Sequence, residues 1–293
     1  MLDLLDSWII HLQAENRAHR TVEVYATGLR QYAKYCRDND LPEAIDRNQV
    51  RGWIAALMAR GAAPATADVR LTAVKRYAAW LVAEDELDDD PIATLKAPQI
   101  GEKVVRPLTS EEIKALLSTC KGKDLMPRRD EAVIRLLLNS GLRASELCGL
   151  QVGDVKISAG VAIVRGKGDR ERTVEFNAQT ARSIDRWLRV RRTHPKANTS
   201  TALWLGGMGR TFGYGGLHQM LAQRGAQAGI EGLHPHKLRH TWASRRKDAG
   251  MSDASMMTLA GWRSPRMLAR YTAHASAERA IAESRRLNLD SDL

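Results

Sequence analysis

Six residues follow one another along the chain whose types together suit one reaction: Arg143, Lys167, His236, Arg239, Trp262 and Tyr271. A phenol can attack a phosphodiester without a metal if cations surround the phosphate. Its pKa of about 10 makes it a poor nucleophile at neutral pH until its phenolate is stabilised. The segment SPRMLARYTAH puts Arg266 and Arg270 close to Tyr271. Guanidinium forks pair bidentately with non-bridging phosphate oxygens and keep their charge, a task open to Arg143 and Arg239. Arg143 follows Gly141 at the start of an expected helix, where backbone N–H groups also favour an anion. Lys167, between two glycines at an expected hairpin tip, can carry a proton to the leaving oxygen. His236 precedes Arg239 by three residues, so a helix puts both on one face, and histidine shuttles protons near neutral pH. Trp262 offers an indole N–H but cannot shuttle protons.

Each residue alone has a plainer reading. A tyrosine near a helix end usually packs, and a lysine at a turn is usually just exposed. Arg143 can pair with Glu146 one turn on, which would also orient its guanidinium. Trp262 can be a core residue, and His240 suits a structural role. A metal site from His234, His236 and His240 is disfavoured, because Lys237 and Arg239 interleave them and would repel a cation. The glycine-rich stretch 206–216 lacks a following GK[ST] and reads as a surface loop. No cofactor and no metal are expected.

The elements that must position these groups follow from periodicity. Leu2, Leu5, Ile9 and Leu12 share one helical face. Tyr25, Leu29, Tyr32 and Cys36 repeat the spacing, as do Val50, Ile54, Leu57 and Met58. A fourth stripe, Leu71, Val74, Ala78 and Leu81, follows a candidate cap at Thr66. Residues 1–90 therefore read as a small helical bundle, with Arg70, Lys75 and Arg76 as basic side chains able to meet phosphate. Residues 91–106 read as a linker, since 90–107 holds three prolines and one glycine with no clean period. Residues 107–293 form the second domain. There a helix capped by Thr109 or Ser110 is followed by an apolar helix over 129–139 stopping at Gly141. Short strands are expected at 155–158, 161–165 and 172–176, the last two joined by the turn 166–169. From Thr180 the pattern is helical apart from the glycine-rich loop. The fold class is mainly α with a small antiparallel β-sheet in the second domain.

Charge is unevenly spread over the 293 residues, whose net charge is +11. Residues 1–90 hold 11 Lys and Arg against 15 Asp and Glu, whereas residues 91–293 hold 34 against 19. So basic a second part implies a polyanionic partner, nucleic acid by default. No apolar run reaches membrane-spanning length, and the acidic N-terminus does not read as a secretory signal. The three cysteines, Cys36, Cys120 and Cys148, lie far apart without a CxxC and read as reduced residues of a cytoplasmic protein.

The local contexts go further. SGLRASEL around Arg143, RGKGDRE around Lys167, HPHKLRH around His236 and Arg239, and LAGWRSPRMLARYTAH around Trp262 and Tyr271 resemble the tyrosine recombinase, or phage integrase, family. The resemblance covers nearly the whole chain and is of the simple two-domain type, similar to Xer recombinases and small phage integrases. One position departs: the family often has histidine in a segment LGH where this chain reads LAGW, although some members carry tryptophan there. The nine-residue interval from Trp262 to Tyr271 fits the motif.

By that resemblance, residues 1–90 would be a SAM-like core-binding domain and 107–293 the catalytic domain. The two would clamp double-stranded DNA, with four protomers on two recombination sites. Tyr271 would form a 3′-phosphotyrosine and leave a free 5′-hydroxyl, exchange proceeding through a Holliday junction without metal or ATP. The tail 277–293 would dock on a neighbouring protomer, and an accessory excision factor or a second recombinase subunit are further partners open to it. Two alternatives stay open: a type IB topoisomerase-like activity on similar groups, and a DNA-binding protein that kept the fold without catalysis.

Overall fold

The computed structural model describes residues 2–99, 101, 105–166, 171–207, 209, 211–272, 280–281 and 284–285; for Leu2, Arg266, Arg270, Tyr271 and Thr272 it describes the backbone alone. The chain divides into two compact units, Met1–Glu102 and Lys103–Leu293.

The first unit is built from α1 (Leu5–Ala14), α2 (His19–Asp38), α3 (Arg47–Ala59) and α4 (Pro64–Ala83). The apolar stripes turn inward: Leu12, Leu29, Cys36, Val50, Leu71, Val74 and Leu81 are buried. Aromatic residues fill the space between stripes. Trp8 meets Tyr77 edge-on with centroids 5.2 Å apart, and Tyr32 meets Trp53 at the same separation. Helices α2 and α4 cross at Gly28, where a Cβ would come within 2.9 Å of the Ala73 Cβ. Helix α4 starts ahead of the expected Thr66 cap. Pro64 occupies its first turn, where a missing N–H costs nothing and φ is preset. The chain beyond Asp90, read from sequence as a linker, contributes Ile92 and Leu95 to this core. Lys75 Nζ donates to the Ala93 carbonyl at 2.7 Å, and Arg47 donates to the Thr94 hydroxyl at 2.8 Å. Lys75, a phosphate candidate by sequence, thus holds a segment of its own unit.

The second unit starts with α5 (Ser110–Ser118), capped by Thr109, whose hydroxyl accepts from Glu112 N while the Glu112 carboxylate accepts from Thr109 N. Helices α6 (Leu125–Ser140) and α7 (Ala144–Gly149) follow. Next come β1 (Val155–Lys156), β2 (Val161–Arg165) and β3 (Glu171–Glu175), an antiparallel sheet in the order β1-β2-β3. The β2–β3 register pairs Val161 with Glu175 and Arg165 with Glu171. The expected turn 166–169 lies, but for Gly166, outside the described residues. Helix α8 (Ala178–Arg191) is capped by Asn177, and α9 (Tyr214–Gln227) takes the last three residues of the expected glycine-rich loop as its first turn.

Helices α10 (Pro235–Asp248), α11 (Asp253–Ala260) and α12 (Pro265–Thr272) complete the unit. The main core joins Leu137, Trp187, Trp204, Leu221 and Leu238, while Trp242, Met256, Ala260, Trp262 and Leu268 form a satellite core that packs α10, α11 and α12 together. The fold is mainly helical with one small antiparallel sheet, as the sequence pattern leads one to expect. Among the described residues no helix is long and apolar enough to cross a membrane. Of the tail 277–293, only residues 280–281 and 284–285 are described.

Candidate active site

The site grows from the C-terminal end of α11. The last four carbonyls of a helix lack intrahelical partners, and they carry the negative end of its dipole. In α11 each has a named donor. Trp262 N donates to Met257 O, and Gly261 N to Thr258 O. Arg172 Nε donates to Leu259 O at 2.9 Å, and Arg239 Nη2 to Ala260 O at 2.8 Å. The next carbonyl, Gly261 O, accepts from Arg143 Nη2 at 2.8 Å. Three successive carbonyls therefore hold three arginines from three separate elements, β3, α10 and the residue that precedes α7. Gly261 makes room for them. It caps α11 with φ 63°, and a Cβ there would stand 3.4 Å from Arg143 Nη1 and 3.5 Å from Arg172 Nε.

Glu146, in the first turn of α7, ties two of these arginines together. Its side chain is 2% exposed. Arg172 grips both oxygens, Nη1 to Oε1 at 2.6 Å and Nη2 to Oε2 at 2.9 Å. Arg143 adds Nη1 to Oε1 at 2.8 Å and its backbone N to Oε2 at 2.8 Å. Burial pushes the Glu146 carboxyl up. The Arg172 hydrogen bonds, the Arg143 N–H and the Arg172 charge outweigh that, holding it down to about 2. The pairing of Arg143 with Glu146 and the role of orienting Arg143 are thus the same contact.

Arg143 is 37% exposed on its side chain. Among the described residues, its printed side-chain bonds use two of five N–H donors. It faces solvent as a fork held at its base. Arg239 is 2% exposed. Besides Ala260 O it reaches Gly141 O, so it bridges the C-terminal ends of α6 and α11. Its Cζ lies 5.0 Å from the Trp262 ring centroid, a cation–π contact.

Trp262 is 5% exposed and meets Trp242 edge-on at 6.1 Å. Its ring is therefore core, and it covers one side of the Arg239 guanidinium. His236 is exposed in the first turn of α10, one turn before Arg239. His234 caps that helix, its Nδ1 accepting from Lys237 N at 3.3 Å. Tyr271 lies in the last turn of α12, nine residues after Trp262, described by its backbone alone. Lys167 lies outside the described residues. Among those residues no cluster of three His, Cys, Asp or Glu suited to a metal occurs.

The structure thus gathers Arg143, Arg239 and Trp262 around one turn. It also adds Arg172, which the sequence reading passed over. A signal existed: Arg172, Val174 and Phe176 share one face of a strand by its period of two, and Val174 and Phe176 are buried. An arginine on an inward face needs a partner.

Gly141 is where the arginine cluster meets the tryptophans. It ends α6 with φ 59°, its carbonyl accepts from Arg239, and a Cβ there would come within 2.4 Å of the Trp242 ring. Gly141→Ala combines a left-handed backbone with a clash against a buried indole. The expected loss in thermal or urea unfolding is roughly 3 kcal/mol. A change under about 1 kcal/mol would show that the Trp242 ring gives way freely.

Comparison with known proteins decides the family. The "Phage integrase family" profile matches residues 106–278, and "Phage integrase, N-terminal SAM-like domain" matches residues 5–85. The chain belongs to the phage integrase family. As a member it is a tyrosine-type site-specific recombinase, and its curated relatives agree. It is 28% identical over 260 residues to the tyrosine recombinase XerC of Azotobacter vinelandii, covering 88% of this chain and 86% of that one. It is 29% identical over 283 residues to XerC of Corynebacterium efficiens, covering 96% and 89%. Among solved structures, the Tn1549 transposon integrase in complex with transposon right end DNA shares the fold of this integrase. The TM-score is 0.77 at 22% identity over 98% of each chain.

Proposed function

We propose that this recombinase cleaves and rejoins double-stranded DNA through a 3′-phosphotyrosine on Tyr271. The phenolic oxygen attacks the scissile phosphorus and the P–O5′ bond breaks. Lys167 gives its proton to the departing O5′, which leaves as a 5′-hydroxyl. Arg143 and Arg239 hold the non-bridging oxygens as charge gathers on them. His236 moves protons at the phosphate, and the Trp262 indole N–H is a donor at the place where relatives often have histidine. A 5′-hydroxyl from the partner duplex then attacks the phosphotyrosine. This returns the phenol and completes one strand exchange toward a Holliday junction. The phosphotyrosine conserves the energy of the broken bond, so the reaction needs neither ATP nor, with cations lining the phosphate, a metal.

The observation that carries this reading is the fixed arginine pair. Both guanidinium groups are held by carbonyls of one turn, nine and ten residues ahead of Tyr271, and the exposed one keeps donors for a phosphate. The wider assembly rests on family likeness. It would be a tetramer on two DNA sites, the 1–90 domain and the 107–293 domain would both contact DNA, the tail 277–293 would join protomers, and an excision factor or second subunit would take part. In the first unit, Arg20, Arg30 and Arg70 line one cleft beside α2, a surface suited to phosphate contact.

Covalent capture tests the reading. The protein is incubated with its source genomic DNA and a chelator, denatured, and the attached DNA is sequenced. Adduct at a discrete site is expected, followed by strand exchange between two labelled duplexes carrying that site. No adduct on DNA that the protein demonstrably binds would overturn the catalytic reading. Adduct with resealing of the same strand only would favour the topoisomerase-like alternative.

A further inference from the structure

Arg172 touches neither end of the proposed reaction, yet it holds the carboxylate that holds Arg143. Glu146 is buried and ionised, and a lone guanidinium facing it would be neutralised by it. Arg143 escapes that fate because a second guanidinium shares the carboxylate. Arg172 takes both oxygens at 2.6 and 2.9 Å, and Arg143 takes one with its side chain. The trio therefore carries one net positive charge, and Arg143, as its exposed member, is where that charge meets solvent. Arg172 itself is 15% exposed and anchored at Nε to Leu259 O, so it is placed to brace and not to reach a substrate.

We propose that Arg172 is a positioning residue for strand transfer: it balances the Glu146 charge, so that the carboxylate aims Arg143 without neutralising it. The inference rests on the recombinase reading and assigns β3 a part in phosphate activation. A purely structural brace would make a different prediction. If Arg172 only filled space and bonded, losing the Glu146 charge as well would make matters worse. If it balances charge, removing the Glu146 charge restores what its own removal took away.

The test measures single-turnover adduct formation and equilibrium binding on the captured site, for wild type, R172K, R172Q, E146Q and R172Q/E146Q. R172Q is expected to bind DNA within about twofold of wild type and cleave at least about tenfold more slowly. R172K keeps the charge and is expected to cleave faster than R172Q. R172Q/E146Q is expected to recover at least about threefold over R172Q, a coupling that a double-mutant cycle isolates. Cleavage by R172Q at the wild-type rate, or a double variant no faster than R172Q, overturns the proposal. Should R172Q fail to fold, the comparison moves to E146Q against R172Q/E146Q. With the carboxylate already neutral, the Arg172 change should then cost little, and a further tenfold loss overturns the proposal. No adduct from the wild type removes the recombinase reading and this inference together, whereas a wild-type adduct with unaffected variants removes this inference alone.

Discussion

Tyr271→Phe binds its DNA site with wild-type affinity and forms no covalent adduct. The change deletes one oxygen and keeps the ring, so the fold and any packing of the side chain survive. What disappears is the only atom of that side chain able to bond phosphorus. No substitute is at hand chemically: water attacking the same phosphate would leave a nick and no protein attached. The loss of adduct should reach at least about a thousandfold, to the limit of detection. The measurement is denaturation-resistant protein–DNA adduct on an end-labelled duplex, beside a gel-shift titration of the same preparation. An undiminished adduct in Tyr271→Phe would remove Tyr271 as nucleophile and send the search to another residue.

Arg239→Ala and Arg143→Ala should both abolish most cleavage, and they should part company in stability. Each removes a preorganised cation at the phosphate, typically worth about a hundredfold to a thousandfold in rate. Binding should fall far less, because most affinity for DNA comes from many phosphate contacts spread over the interface. Arg239, at 2% exposure, also satisfies Gly141 O and Ala260 O. Its truncation leaves both buried carbonyls without that donor and opens a gap under Trp262, so stability should drop by roughly 2–4 kcal/mol. Arg143 is far more exposed, and Glu146 keeps its bidentate Arg172 bond when Arg143 is gone. Its truncation should cost about 1 kcal/mol or less. Adduct kinetics, gel shift and thermal unfolding on the two variants check all three statements. If cleavage and binding fall equally, the arginines are ordinary phosphate contacts.

Much of the helical framework could be read before any coordinates. Stripes such as Leu71, Val74, Ala78 and Leu81 carry a 3.6-residue period that only one face of a helix explains, and all four are buried. Thr66 misled because a capping side chain and a first-turn proline compete as start signals, and Pro64 lies nearer the true end. The last three residues of the glycine-rich stretch misled because glycine lowers helix propensity without forbidding it, and packing of Leu217 and Leu221 pays for the first turn of α9. At the site, residue types and order pointed to Arg143, Arg239 and Trp262 as a group. The manner in which they are held was invisible, because their acceptors are carbonyls, and every residue has one. Glu146 was legible as a partner of Arg143 by its spacing. Its second partner, Arg172, comes from a strand 26 residues on, and no helical spacing announces it.

The three-carbonyl turn 259–261 has one more consequence, for how the enzyme turns on and off. Arg172, Arg239 and Arg143 have no common side-chain acceptor, yet all lean on one short bend of backbone, and the same bend leads through Trp262 to the helix bearing Tyr271. A displacement of that bend withdraws three acceptors in a single movement and shifts the nucleophile's helix with them. Cation geometry and nucleophile position are then one variable: the site is armed or disarmed whole, with no half-armed state in which the tyrosine is presented but the phosphate is left ungripped.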